Sequence, residues 1–100
     1  MSEQSNIEDY SKTLNTKFKI YRTDEEIFEA ELVEVAELRH DKVLHTFALE
    51  FQLPLEFGFE QRIYKIEHAE LGTQELFLVP VGQTGAGIRY EAIFNRLVQK

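Results

Sequence analysis

The chain of 100 residues contains no cysteine and no tryptophan, and it has only two prolines. Without cysteine it has no disulfide, no zinc–thiolate site and no cysteine nucleophile. No apolar run approaches the ~20 residues of a membrane-spanning helix, and the polar first residues do not resemble a signal peptide. We therefore expect a cytoplasmic protein that has no contact with a membrane.

Basic residues are also scarce, since 11 Lys and Arg face 18 Asp and Glu for a net charge of −7. Nucleic-acid binders rely on clustered basic residues, and these are scattered, so we predict no nucleic-acid partner. Hydrophobic residues form 43% of the chain, which is enough for the core of one small domain. We predict a disordered tail at residues 1–6, one domain at residues 7–97 and a tail at residues 98–100.

The start of the predicted domain has a helical pattern. Ile7, Tyr10 and Leu14 lie on one face of a helix because they are three and four residues apart. Ser5 or Asn6 is suited to cap its first turn. We predict a short helix at residues 7–14.

The rest of the chain alternates between apolar and polar residues, which is typical of strands. This pattern predicts strands at residues 16–22, 44–53, 62–68, 75–81 and 88–95, with a flexible glycine loop at residues 82–87. The segment 27–38 fits a helix and a strand almost equally. Thr23 and Glu26 resemble a capping box, whereas a shift of the apolar parity at Val33 is what a β-bulge would cause.

Six consecutive strands with short links favour antiparallel pairing, and curling removes exposed edges. The predicted fold is mainly β: a small antiparallel barrel or sandwich of about six strands with a short N-terminal helix, which could plug one open end. Aromatic side chains should fill the interior or line a ligand cavity: Phe18, Phe28, Phe47, Phe51, Tyr64, Phe77, Tyr90 and Phe94.

Two further phenylalanines, Phe57 and Phe59, flank Gly58 in a loop that follows Pro54. Exposed aromatic side chains in a loop are typical of a protein contact. The alternative is that the two rings fold back as a lid over the barrel. The pattern favours neither alternative.

The most unusual segment is acidic. Residues 24–37 contain seven acids and no base, and the other 11 acids of the chain equal its 11 bases in number. If this segment forms one acidic face of a strand, that face suits docking to a basic partner or mimicry of nucleic-acid phosphates. A strand face that is simply solvated explains the acids as well. The acids are Asp24, Glu25, Glu26, Glu29, Glu31, Glu34 and Glu37.

The sequence has little catalytic or metal-binding potential. A transition-metal site needs three or four converging ligands, and the two candidate groups, His40-Asp41 with His45 and His68 with Glu70, look like loop and turn residues. Serine occurs only at positions 2, 5 and 11, without a nucleophile elbow. We predict no catalytic residue, no metal, no cofactor and no enzyme activity.

Residues 76–82 (LFLVPVG) and 89–95 (RYEAIFN) resemble the C-terminal signature of a family of small, functionally uncharacterised bacterial β-domains. Residues 64–72 (YKIEHAELG) resemble the Y-R-L-E-H-P-E-L-G segment of that family, with Ala69 in place of its proline. The resemblance implies that residues 27–38 form a strand. It also implies an association with phage-tail-collar-like proteins and thus with tail-like assemblies.

From these features we predict a non-enzymatic protein-interaction or assembly module, a component of a tail-like system or a homo-oligomer. Its alternatives are a small-ligand-binding barrel and an acidic inhibitor of a nucleic-acid-binding protein. The predicted partner-binding residues are Asp24, Glu25, Glu26, Glu29, Glu31, Glu34, Phe57 and Phe59.

Overall fold

The computed structural model describes residues 6–98, which form one helix and six strands. The helix is α1 (Ile7–Lys12), and the strands are β1 (Lys17–Tyr21), β2 (Ile27–His40), β3 (Leu44–Leu53), β4 (Arg62–His68), β5 (Gly72–Thr84) and β6 (Gly87–Leu97). The strands pair in the order β1-β2-β3-β6-β5-β4 and close into a barrel. Every pair is antiparallel, which confirms the predicted mainly β class. The pairing of β1 with β4 closes the ring, so the fold is the barrel and not the sandwich.

The ambiguous segment is a strand, as the resemblance implied. Its pairing with β3 shifts by one residue between Leu32 and Glu34, so Val33 is the bulge residue that the parity change predicted. The hydroxyl of Thr23 accepts a hydrogen bond from the Glu26 amide at 2.9 Å. The apparent capping box therefore stabilises a turn before β2 and does not begin a helix.

The antiparallel order places the connections at two ends of the barrel. We name them the Phe57 end, with the connections at residues 22–26, 54–61 and 85–86, and the helix end, with those at residues 13–16, 41–43 and 69–71. Because β3 and β4 are not neighbours in the ring, the segment 54–61 must cross the barrel mouth. That crossing positions the candidate site described below.

Helix α1 closes the helix end through one aromatic side chain. The side chain of Asn6 accepts a hydrogen bond from the Asp9 amide, so Asn6 is the N-cap, and the alternative cap, Ser5, lies outside the described residues. The Tyr10 ring lies 5.6 Å from the Phe94 ring, and its hydroxyl donates to Oε1 of Gln74 at 2.6 Å. The prediction that the helix plugs an open end is confirmed.

The interior contains most of the aromatic residues that the sequence assigned to it, but not all of them. Phe77 was wrongly assigned, because it lies on the outer face of β5, opposite Ile63, with 52% of its surface exposed. The segment 75–81 is therefore covered on one side only, and its apolar composition reflects an apolar outer face. Phe28 is only partly buried and packs against the core from the edge.

The predicted glycine loop at residues 82–87 is mostly strand. β5 continues to Thr84 and β6 begins at Gly87, so residues 85–86 form a tight turn. At the other terminus, the Val98 amide donates to the Val43 carbonyl at 2.9 Å and extends the ordered domain by one residue. Of the predicted tails at residues 1–6 and 98–100, Asn6 and Val98 are described, as the cap of α1 and in this hydrogen bond, and residues 1–5 and 99–100 lie outside the described residues. The one α-helix within residues 6–98 is far too short to span a membrane.

Candidate functional site

The crossing segment inserts one aromatic ring into the barrel mouth. Leu53 ends β3, Pro54 follows it in extended conformation, and Leu55–Phe57 form one turn of 3-10 helix. This turn directs Phe57 inward, where only 2% of its surface remains exposed. The Phe57 ring lies 5.2 Å from both the Tyr64 and the Tyr90 ring, a distance typical of stabilising aromatic pairs.

Two tyrosine hydroxyls hold the backbone that follows Phe57. The Tyr90 hydroxyl accepts a hydrogen bond from the Glu60 amide at 3.0 Å and donates one to the Gly58 carbonyl at 2.5 Å. The Tyr64 hydroxyl donates to the Glu60 carbonyl at 2.5 Å. Burial raises the pKa of Tyr90, so its hydroxyl stays protonated and remains a donor at neutral pH.

The two loop phenylalanines thus have opposite environments. Gly58 has a φ of 84°, a conformation that favours glycine, and it turns the chain so that Phe59 points outward with 60% of its surface exposed. The prediction that Phe57 contacts a partner is wrong for the folded domain, because Phe57 is the lid. The same ring lies 5.2 Å from the rings of Tyr64 and Tyr90, two of the aromatic residues that would line the cavity of a ligand-binding barrel.

The acidic turn before β2 lies at the same end of the barrel as Phe59. Arg62 connects the two, because its guanidinium donates a hydrogen bond to the Arg22 carbonyl and stacks 4.4 Å from the Tyr64 ring. The turn itself is held by the Thr23 hydroxyl, which accepts from the Glu25 and Glu26 amides at 3.2 and 2.9 Å. The barrel therefore joins two segments that are about thirty residues apart in sequence.

The charge at this end is predominantly negative. The connections at residues 22–26 and 54–61, with Arg62, carry five acids and two arginines, a net charge of −3. Glu26 pairs with Arg22 at 2.9 Å, and Glu60 lies 3.7 Å from Arg62. Within residues 6–98, the other three acids have no basic side chain within ion-pair distance: Asp24, Glu25 and Glu56.

The remaining predicted acids lie elsewhere, on the side wall of the barrel. Glu29 and Glu31 are directly opposite Lys19 and Lys17 of β1, so cross-strand lysines offset their charge. Glu34 is opposite Glu50, which accepts a hydrogen bond from Arg89 at 3.0 Å. The acids of β2 therefore do not stand alone, because tertiary pairing places lysines opposite Glu29 and Glu31 that the linear segment lacks.

The histidines also differ from their sequence interpretation. His40 and His45 are not loop residues, since His40 is the last residue of β2 and His45 the second residue of β3, and they lie directly opposite one another. Asp41 is not available as their co-ligand, because its carboxylate accepts from the Leu44 and Val43 amides and from Arg39 at 2.7–2.9 Å. These bonds, the one from the Leu44 amide above all, lower the pKa of Asp41 to about 2.

His68 is a structural residue, as expected for a histidine that holds a turn. Its Nδ1 accepts a hydrogen bond from the Glu70 amide at 3.0 Å, which leaves the proton on Nε2. Nε2 lies 2.9 Å from the Thr16 hydroxyl, which itself donates to the Thr13 carbonyl at 2.6 Å. Both ring nitrogens are thus occupied by local contacts.

The contact surface that the sequence predicts is the loop Leu55 to Phe59 together with the acidic face Asp24 to Glu37, so it includes Leu55 and Glu56 and misses Glu60. Leu55 is 50% exposed, and Glu56 and Glu60 lie at equal distance from Gly58 on either side of it in the sequence. The pattern L-E-F-G-F-E contains this signal, but without the crossing topology nothing relates it to the acids at residues 24–26.

The fold and this end define a class of protein: a small, six-stranded antiparallel barrel, closed by a helix at one end and by an aromatic lid at the other, that exposes one phenylalanine among acids. A family model described as a domain of unknown function, DUF6916, matches residues 5–94. The chain belongs to this DUF6916 family. Searches of curated proteins and of solved structures found no match.

Proposed function

We propose that this protein is a non-enzymatic protein-interaction module that binds a basic protein partner at the Phe57 end. The observation that supports the proposal most directly is the position of Phe59. Its ring is 60% exposed and lies at the barrel end that carries a net charge of −3. An aromatic side chain within a charged rim is a common arrangement of protein-binding surfaces.

The buried lid residue, Phe57, helps to keep the backbone around the exposed Phe59 rigid. Buried Phe57 and the Tyr90 hydroxyl, which bonds Gly58 and the Glu60 amide, hold the backbone on both sides of Phe59. A pre-organised anchor loses little conformational entropy when a partner covers it. The expected partner surface is therefore an apolar pocket that receives the Phe59 ring.

The unpaired acids define the charge of that partner. Asp24, Glu25 and Glu56 have no ion pair within the described residues to break on binding, so a partner with lysines or arginines around its pocket gains charge complementarity. Exposed charges of this kind act mainly on the rate of association and on specificity. Binding should weaken as salt shortens the screening length from about 10 Å at 0.1 M to about 3 Å at 1 M.

The two alternative functions have less support. A ligand-binding barrel needs a free interior, and Phe57 occupies the space between Tyr64 and Tyr90. A nucleic-acid mimic needs acids spread over one continuous face, whereas Glu29 and Glu31 lie opposite lysines. The proposal further includes a cytoplasmic location and a place in a tail-like assembly, which rest on the sequence and its resemblance alone.

The experiment is affinity capture with matched phenylalanine variants. The wild-type domain, Phe59→Ala and Phe77→Ala are immobilised and exposed to a lysate, and bound proteins are identified by mass spectrometry at low and high salt. Phe77 is a suitable control because it is 52% exposed but lies on the side wall. We expect a basic protein that Phe77→Ala retains and that Phe59→Ala loses.

A second pair of variants tests the charge. Exchanging Asp24 and Glu25 for their amides should reduce capture at low salt, and the same exchange at Glu29 and Glu31 should not. The proposal is wrong if no partner depends on Phe59, or if both pairs of amide variants behave alike.

A further inference from the structure

The helix end carries a second group of chemically active side chains, unrelated to the Phe57 end. Glu37, His40 and His45 bring one carboxylate oxygen and two imidazole nitrogens within 4.8 Å of one another. The Glu37 Oε2 atom lies 2.9 Å from His45 Nε2 and 3.5 Å from His40 Nδ1. The sequence predicts no metal here, because the neighbour that it offers to His40 and His45 is Asp41 and not Glu37.

A β-bulge creates this group. Residues three apart on a regular strand point to opposite faces, so Glu37 and His40 should not meet. The β2–β3 register shifts between Glu37 and Arg39, which makes Leu38 the bulge residue. Glu37 is therefore opposite Phe47 and His40 is opposite His45, and all four side chains share the inner side of the hairpin.

We propose that Glu37, His40 and His45 bind one divalent transition-metal ion of the zinc type. Zinc binds imidazole nitrogen at about 2.0–2.1 Å and carboxylate oxygen at about 2.0–2.2 Å, so neighbouring ligand atoms of a tetrahedral site lie about 3.3 Å apart. The observed separations of 2.9 and 3.5 Å lie on either side of that value. Two imidazoles and one carboxylate also suit zinc and its neighbours far better than calcium or magnesium.

The surroundings leave room for the ion. The side chains of His40 and Glu37 are 53% and 50% exposed, whereas that of His45 is only 18% exposed and gives the site one fixed ligand. The imidazole rings of His40 and His45 are stacked with their centroids 4.2 Å apart. The exposed His40 ring must therefore rotate before a nitrogen lone pair of each ring can point at the same ion. Three protein ligands leave a fourth position free.

His40 and His45 line a hollow of about 580 Å³, whose lining also includes Asn6, Asn95 and Arg96, and this hollow has room for a fourth ligand. The Arg96 guanidinium lies 5.3 Å from the centre of the Phe94 ring, where the face of the ring attracts it. Its positive charge opposes a cation in the same hollow and favours an anionic fourth ligand, such as chloride or a carboxylate.

The test is zinc binding to protein without a polyhistidine tag, freed of metal with a chelator and titrated calorimetrically with zinc chloride at neutral pH. We expect one ion per chain, and neither magnesium nor calcium should compete. Glu37→Gln and His40→Ala should each weaken the affinity by at least the roughly 10–100-fold that loss of a supporting hydrogen bond costs in known sites. Both positions are half exposed, so the fold should tolerate the changes.

Glu34→Gln is the matched control, because Glu34 is an exposed residue of the same strand and the change removes the same charge. It should leave the affinity for zinc unchanged. Imidazole nitrogen resonances supply a second readout, since zinc should shift those of His40 and His45 while His68, with both nitrogens engaged, stays constant. The proposal is overturned if no stoichiometric binding is seen, if Glu34→Gln and Glu37→Gln weaken binding equally, or if His40→Ala has no effect.

Discussion

The contrast between Phe57 and Phe59 leads to a sharp prediction about stability. Phe57→Ala removes a ring that is 2% exposed and lies 5.2–5.3 Å from the rings of Phe28, Tyr64 and Tyr90. Truncating a buried phenylalanine costs about 3–5 kcal/mol of unfolding free energy, because transfer energy is lost and a cavity remains. Phe59→Ala removes a ring that is 60% exposed and should change stability by no more than about 0.5 kcal/mol.

The assay is urea denaturation followed by circular dichroism and by tyrosine fluorescence, which is available because the chain has four tyrosines and no tryptophan. Thermal denaturation gives a second measure. In a domain of this size each 1 kcal/mol of unfolding free energy moves the melting temperature by roughly 4–8 °C, so Phe57→Ala should lower the melting temperature by more than about 12 °C. A loss below about 1 kcal/mol for Phe57→Ala, or equal losses for the two variants, would refute the assignment of Phe57 as the lid.

Three further changes test other parts of the fold. Gly87→Ala should be strongly destabilising in thermal denaturation, since its Cβ would lie 2.0 Å from a β3 carbonyl oxygen at a φ of +144°, whereas Gly85→Ala meets no atom within 4 Å and should be neutral. Tyr10→Phe should cost about 0.5–1.5 kcal/mol in urea denaturation for the hydrogen bond to Gln74, and an unchanged midpoint would show that the bond contributes nothing. The pKa of Asp41 is lowered from 3.8 to about 2, so its charged form stabilises the fold above pH 4 and this contribution disappears as the pH falls toward 2. The stability difference between wild type and Asp41→Ala should therefore shrink over that interval, and a constant difference would contradict the assignment.

Local patterns were sufficient where one residue decides the local backbone. Pro54 follows the last residue of β3, and Asn6 caps the first turn of α1 as its residue type predicts. The parity change at Val33 correctly marked a bulge. In each case the cause lies within a few residues of its effect, so the sequence contains all the information needed.

Local patterns failed where the environment comes from a distant strand. Phe51 lies between polar Glu50 and Gln52 and is fully buried, as its alternation predicts, whereas Phe77 lies between Leu76 and Leu78 and is exposed. Periodicity shows that two sets of side chains point in opposite directions, but it does not show which direction is inside. In an almost wholly apolar segment such as residues 75–81 the two sets look alike.

The amino-acid sequence alone determined that this chain is mainly β with a short N-terminal helix, without disulfides and with an acidic segment before and within β2. These properties follow from composition and from spacing over a few residues. Only the tertiary structure decided that Phe57 closes the barrel while Phe59 faces outward, because that depends on β3 and β4 being separated in the ring. The tertiary structure also decided which acids have a lysine opposite them, because that depends on the register between β1 and β2. It brings Glu37 together with His40 and His45, because the bulge at Leu38 changes the register between β2 and β3.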